Sequence, residues 1–322
     1  MKSISKKLFY KLFSMQWFYL LLVVVLLMVI ASFGNSMFLG KSNLSNILSQ
    51  ISVLGLISAG MTILIISGNF DISVGSIVGL SGSMMCMMLI AGIPEVIAVL
   101  GGIVIAMLCS ALNGFLSIFL KAPSFIITLA TAGVFTGTAL TITNGRIQNI
   151  YGKFEYLANT RIFNFLPLIF LISLLGYFAI GALLGYSQFG RRVYAIGDNP
   201  RAALLAGIRV NYNKILFFII NGAMVGIAAS MLVSRLGGCQ ATTGAGYELQ
   251  AIGAVVIGGV PINGGKGNIM GTFVGVLLMG IIFNVLNVLR VSPFLQQIAY
   301  GLLIILSIGI GSIRLRLANK LN

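Results

Sequence analysis

The sequence predicts an all-α integral membrane protein of about ten transmembrane helices, some broken or short, with both termini cytoplasmic. Of its 322 residues 58% are apolar and only 8% are Asp, Glu, Lys or Arg, whereas a soluble domain carries about 25% charged residues to cover its surface. Its apolar runs are on the scale of the roughly 20 residues that cross about 30 Å of hydrocarbon, beginning with Trp17 to Phe33. The basic residues, which collect in cytoplasmic loops, fall unevenly on the two sides of this series of runs.

Lys2, Lys6, Lys7 and Lys11 precede the first run, and no small-residue cleavage site closes it before Asn35. It therefore reads as an uncleaved first span rather than a signal peptide. Apolar runs bounded by Gly, Pro and charge clusters place spans at 16–33, 47–67, 73–92, 95–120, 124–143, 165–186, 214–236, 250–262, 268–289 and 295–313, one bundle over residues 1–322. If the amino terminus is inside, ten crossings bring the carboxyl terminus back inside. Fourteen of the 20 Lys and Arg then lie on the inner side, which supports the orientation.

Two spans are irregular. The second runs into Ile-Ser-Gly-Asn-Phe-Asp-Ile-Ser-Val-Gly-Ser at 66–76, and the short eighth into Gly-Gly-Val-Pro-Ile-Asn-Gly-Gly-Lys-Gly at 258–267. Non-helical backbone at membrane depth survives only where protein or a water-filled cavity satisfies it, so these breaks mark candidate path segments. Each is followed by glycines four apart, Gly75 and Gly79 or Gly267 and Gly271, which fits either an internal repeat or close helix packing.

An outer loop is expected at 144–164 and a cytoplasmic loop at 187–214, the latter with five basic residues. Within the cytoplasmic loop Asn199 is a good helix N-cap, Pro200 suits the first helical position, Ala202 to Ala206 favour helix and Gly207 is a stop. A helix of about two turns follows, with Leu204 and Leu205 available either to the lipid surface or to a cytoplasmic partner.

Chemistry-bearing residues are few. There is no His, and the three cysteines, Cys86, Cys109 and Cys239, have neither disulfide nor metal spacing. Of the five acids, Glu95 and Glu155 fall in outer turns and Asp198 in the inner loop. Asp71 lies at a membrane-embedded break and has two readings: an intramembrane functional carboxylate, or a cap on the third span favoured by the helix dipole. Glu248 opens the eighth span, again as a cap, near its outer mouth. The Gly-Gly-Lys-Gly string at 264–267 fails as a phosphate loop, because Val260 and Gly267 stand where Gly and Ser or Thr are needed. Asn113 and Asn221 sit deep in their spans, while Asn284, Asn287, Thr128 and Thr131 suit interhelical contacts. The substrate-path candidates are Asp71, Ser73, Asn113, Asn221 and Glu248.

Three strings carry a family resemblance: Gly-Asn-Phe-Asp-Ile-Ser-Val-Gly-Ser (68–76), Phe-Gly-Arg-Arg-Val-Tyr-Ala-Ile-Gly-Asp-Asn-Pro-Arg-Ala-Ala-Leu-Leu-Ala-Gly-Ile (189–208) and Gly-Ala-Gly-Tyr-Glu-Leu-Gln-Ala-Ile-Gly-Ala-Val-Val-Ile-Gly-Gly (244–259). With them the chain resembles the membrane permease subunits of ATP-binding-cassette importers for ribose and related sugars. The resemblance implies a non-enzymatic permease of the bacterial inner membrane that moves a monosaccharide inward and holds no cofactor, ATP being bound by a partner. It also implies a second permease subunit, an ATPase dimer inside and a sugar-binding protein outside. ATPase coupling then falls to Gly197, Asp198, Asn199, Pro200, Arg201, Ala203, Leu204, Leu205 and Gly207. Gln250 stands where the family often has an acid. An ion-coupled transporter using Asp71, and a passive channel or structural subunit, are the competing classes.

Overall fold

The computed structural model describes residues 16–34, 38–292 and scattered positions between 294 and 305. In chain order the helices are α1 (Gln16–Gly34), α2 (Lys41–Ile66), α3 (Val74–Ile90), α4 (Glu95–Phe119), α5 (Ser124–Thr143), α6 (Tyr156–Asn159), α7 (Leu168–Tyr186), α8 (Gln188–Asp198), α9 (Pro200–Leu205), α10 (Val210–Leu236), α11 (Tyr247–Ile257) and α12 (Ile269–Val288). Four two-residue strands lie on the loops: β1 (Gln148–Asn149) pairs antiparallel with β4 (Gly238–Cys239), and β2 (Arg161–Ile162) with β3 (Leu166–Pro167).

Among the described residues, six helices are long and apolar enough to cross a membrane: α2, α4, α5, α7, α10 and α12. The expected crossings at 16–33, 73–92 and 250–262 are shorter apolar helices, α1, α3 and α11. The lysines before residue 16, Arg314, Arg316, Lys320, most of the expected span 295–313, and with them the placement of both termini, lie outside the described residues. Two boundaries move outward from the sequence reading. α2 begins six residues early, because Asn43 and Asn284 of α12 exchange amide hydrogen bonds at 3.0 and 2.9 Å. α10 begins at Val210, where Asn213 donates to the Arg209 carbonyl.

α2 is the central helix, buried without interruption from Ile51 to Ile66. Around it the helices invert the pattern of a soluble protein. On α4 a stripe of small or polar residues, Ala98, Gly102, Ala106, Ser110, Asn113 and Ser117, faces inward. Bulky Val96, Leu100, Val104, Leu108, Phe115 and Phe119 face out. Small residues let backbones approach closely where lipid removes any hydrophobic gain from burying Leu. α10 presses its Gly222 and Gly226 against this stripe, meeting Ala106 and Ile103.

The stretch after α10 overturns one expectation. Residues 239–244 descend along α3 through a series of turns, with Cys239 beside Gly82, Ala241 beside Gly79 and Gly244 beside Gly75. A Cβ at Gly75 or Gly79 would collide with the carbonyls of Gly244 and Ala241. α12 repeats the device, setting Gly271 and Gly275 against the carbonyls of Gly258 and Ala254. Close packing thus accounts for the paired glycines. The descent starts α11 beside the beginning of α3, so Glu248 abuts Gly75 instead of an outer mouth.

Candidate functional site

The cytoplasmic loop of the sequence reading contains two helices. α9 forms as expected: Asn199 Oδ1 accepts from the backbone N–H groups of Arg201 and Ala202 at 3.0 and 3.1 Å, Pro200 takes the first position, and Gly207 ends the segment at φ +83°. Ala203 is buried, while Leu204 and Leu205 are 62% and 90% exposed. α8 was not anticipated. Its signals were Ser187, which caps Gly190 N–H at 3.1 Å, and the inward spacing of Phe189, Val193 and Ile196.

α8 ends where the two broken segments meet. Gly265, held at φ +73°, donates its N–H to the carbonyl of Ile66, the last residue of α2, at 2.8 Å. Gly197 lies against both: a Cβ there would strike the Ile66 carbonyl and stand 2.8 Å from Gly265 N. Tyr194 Oη donates to the Gly267 carbonyl at 3.0 Å, and burial pushes this phenol above the usual tyrosine range. The end of α8, the 66–76 break and the 258–267 loop therefore share one main-chain junction.

Four of the five path candidates form a second cluster in the α2–α3 break. Asp71 is fully buried. Its Oδ1 accepts from Ser73 N–H at 3.0 Å, Ser73 Oγ at 2.6 Å and Asn113 Nδ2 at 3.3 Å. Its Oδ2 accepts from Ser110 Oγ at 3.2 Å and Asn221 Nδ2 at 3.1 Å. Asn113 also donates to Ser73 Oγ at 2.7 Å and accepts from Thr131 Oγ1 at 2.6 Å. One carboxylate thus joins the break to α4 and α10 through uncharged donors, and Thr131 of α5 joins the network through Asn113. Of the helix start, Asp71 meets only the N–H of Ser73, the N-cap residue of α3.

The break is sealed by protein. Phe70 N–H donates to Ser124 Oγ at 2.9 Å and Ile72 N–H to Thr128 Oγ1 at 3.0 Å, so side chains of α5 take up backbone groups that lipid could not satisfy. The sequence reading missed Ser110, although it lies on the same small-residue stripe as Asn113. Glu248 stays apart from this cluster. Both its oxygens lie 3.1 Å from Gly246 N–H, the N-cap position of α11, as a cap would. Among the described residues no group of three or more His, Cys, Asp and Glu is placed to hold a metal.

A family model described as a branched-chain amino acid transport system permease component matches residues 43–308. The chain belongs to this permease family. It is a multi-pass membrane protein and a transport component, not an enzyme. The ribose import permease protein of Bacillus subtilis (strain 168) is 38% identical over 88% of this chain and 88% of its own length. The D-allose transport system permease protein of Escherichia coli (strain K12) is 34% identical over 89% of each chain. The autoinducer 2 import system permease protein of Escherichia coli O9:H4 (strain HS) is 33% identical over 94% of this chain and 88% of its own. Among solved structures, an inward-facing chain described as a metal-chelate type ABC transporter has 15% identity and a TM-score of 0.48 over 95% of this chain and 98% of its own.

Proposed function

We propose that this chain is the permease subunit of an ATP-driven importer that carries a monosaccharide, ribose or a related pentose or hexose, across the bacterial inner membrane. In this reading an ATPase dimer docks on α9, a second permease subunit completes the membrane core, and an external sugar-binding protein delivers the solute. The tenth crossing at 295–313 and cytoplasmic termini belong to the same reading. ATP stays with the partner, and this chain needs no cofactor.

The observation that carries the proposal is the position of α9. It turns Leu204 and Leu205 outward, while the residue three before it, Gly197, touches the junction of both broken segments. A push on α9 has a main-chain route to Ile66 and Gly265. Beside α9, Arg201, Leu204, Arg209 and Tyr212 line a concavity of about 440 Å³, which suits a partner offering an apolar ridge and acidic edges. The ribose and D-allose import names of the relatives support a hydroxyl-rich solute over the amino acid of the family description.

The test is reconstitution of the permease in proteoliposomes with its ATPase and binding protein. Labelled ribose or allose should accumulate only when both partners and ATP are present. Uptake that persists without the ATPase would instead favour ion coupling at Asp71, and equilibration without any energy source would favour a channel.

A further inference from the structure

Two carboxylates sit at membrane depth and are held in opposite ways. Asp71 is fully buried and takes five hydrogen bonds from Ser73, Ser110, Asn113 and Asn221. Glu248 is partly exposed, and its oxygens meet only N–H groups of its own turn, that of Gly246 at 3.1 Å and its own. Among the described residues no side chain donates to it and none pairs with its charge. An ionised carboxylate accepts at about four lone-pair positions, so Glu248 keeps acceptor capacity that Asp71 has spent.

Its depth follows from helix lengths. α2 has 26 residues and runs about 39 Å, enough to cross about 30 Å of hydrocarbon, so the junction at its last residue, Ile66, lies at the membrane's edge. Val260, just beyond α11, meets Gly267, which also meets the Ile66 side chain. From that edge α11 reaches inward over only 11 residues, or about 16 Å, which puts its first turn roughly half-way across. The surroundings of Glu248 are polar and open. Gln240 and Thr242 of the descending stretch are exposed. Ser76, next to the Gly75 that Glu248 abuts, is partly exposed and bonded to Thr136 of α5 at 2.9 Å. Non-helical backbone with polar side chains does not face lipid at this depth; it lines water or meets protein.

We propose that Glu248 is the residue that takes hold of the solute's hydroxyl groups midway along the transport path, on a face that the second permease subunit closes. The proposal rests on the sugar-importer reading and goes beyond it by assigning a contact residue. Hydroxyls on neighbouring ring carbons can donate to both carboxylate oxygens together, as a guanidinium does in a bidentate pair. The amino end of α11 favours the negative charge, so no Lys or Arg is needed to keep it and none competes with hydroxyls for its oxygens. The opposite end of α11 leads into the loop whose Gly265 is bonded to Ile66. A displacement at that junction therefore re-aims the carboxylate within the path.

The experiment uses the full permease reconstituted with its ATPase and binding protein. Glu248→Gln keeps an oxygen for the Gly246 N–H but puts a donor where the second acceptor stood. ATP-driven ribose accumulation should fall at least tenfold, with the unfolding midpoint and ATPase retention unchanged, and Glu248→Asp should restore part of it. In a second measurement Glu248→Cys is made with Cys86, Cys109 and Cys239 replaced by Ala and treated with a charged, water-soluble thiosulfonate. It should react at least tenfold faster than Ser110→Cys in the same background, whose position beside Asp71 is enclosed. Three results would each make Glu248 a helix cap alone and overturn the proposal while the importer reading stands: wild-type uptake by Glu248→Gln, a loss of uptake that tracks a lower unfolding midpoint, or Glu248→Cys no more reactive than Ser110→Cys with and without ATP. If the wild-type complex accumulates no sugar, the importer reading fails first and the proposal falls with it, whatever the labelling shows.

Discussion

The N–H of Gly265 donates to the carbonyl of Ile66 at 2.8 Å, and Gly197 closes over that bond. Three segments far apart in sequence are joined there by main chain. Neither rotamer changes nor side-chain exchange is available to absorb a displacement at such a contact, so motion in one segment is passed to the others.

Gly197→Ala should therefore impair transport at least tenfold. The new methyl overlaps a backbone carbonyl, and overpacking of this kind costs about 1–3 kcal/mol. Thermal unfolding of the purified permease and ATP-driven uptake together check it; normal uptake would show that the junction does not carry the coupling.

Leu204→Ala/Leu205→Ala should leave the permease intact, because exposed substitutions usually change stability by no more than about 0.5 kcal/mol. Retention of the ATPase during affinity purification should fall at least tenfold. Unchanged retention and uptake would remove α9 as the docking element.

Asp71→Ala should destabilise the fold by about 3 kcal/mol, since buried donors to a charged acceptor lose their partner. Asp71→Asn should cost less, because its amide keeps one accepting oxygen. Unfolding midpoints in detergent order the three proteins. A variant with wild-type stability and no uptake would point to ion coupling at this carboxylate.

Much of this hub was legible in sequence, and the reason for its assembly was not. Asp71, Ser73, Asn113 and Asn221 each stood out as polar groups in apolar surroundings, and all four meet. What linear spacing could not show is that they satisfy one another. Glu248 was misplaced for a related reason. The Gly-rich stretch before it has no periodicity, so nothing local announced that it descends along α3. α9 was readable to the residue because its cap, proline and stop act locally. α8 is harder to see, because the basic residues of its loop mask the apolar spacing of Phe189, Val193 and Ile196.

Tyr194 gives a pH signature outside the spans. Burial raises its phenol, so above the ordinary tyrosine pKa of about 10 the unfolded chain releases this proton before the folded one does. The unfolded state then binds fewer protons, and stability falls as pH rises through that window. Tyr194→Phe should flatten the alkaline fall, while losing the bond to Gly267 lowers stability at neutral pH. Unfolding curves of both proteins from neutral to strongly alkaline pH decide it.

The reciprocal amides of Asn43 and Asn284 should show coupling. Polar pairs between membrane helices average about 0.6 kcal/mol and reach about 1.7, and two bonds in one pair place this one toward the upper figure. A double-mutant cycle with alanine measures it, and a coupling near zero would remove the pair as a link between α2 and α12.

Gly79 of α3 meets only the main chain of Ala241, and Gly75 meets the Gly244 carbonyl together with the Glu248 carboxylate. Such a seam is strict on one side and indifferent on the other. A methyl added to Gly75 or Gly79 is fatal to the fit, but the identities of Gln240, Thr242 and Thr243 hardly enter it. Sequence drift at 240, 242 and 243 can therefore proceed while the glycines of α3 stay fixed, so substitutions should be tolerated on one side of the seam and not on the other.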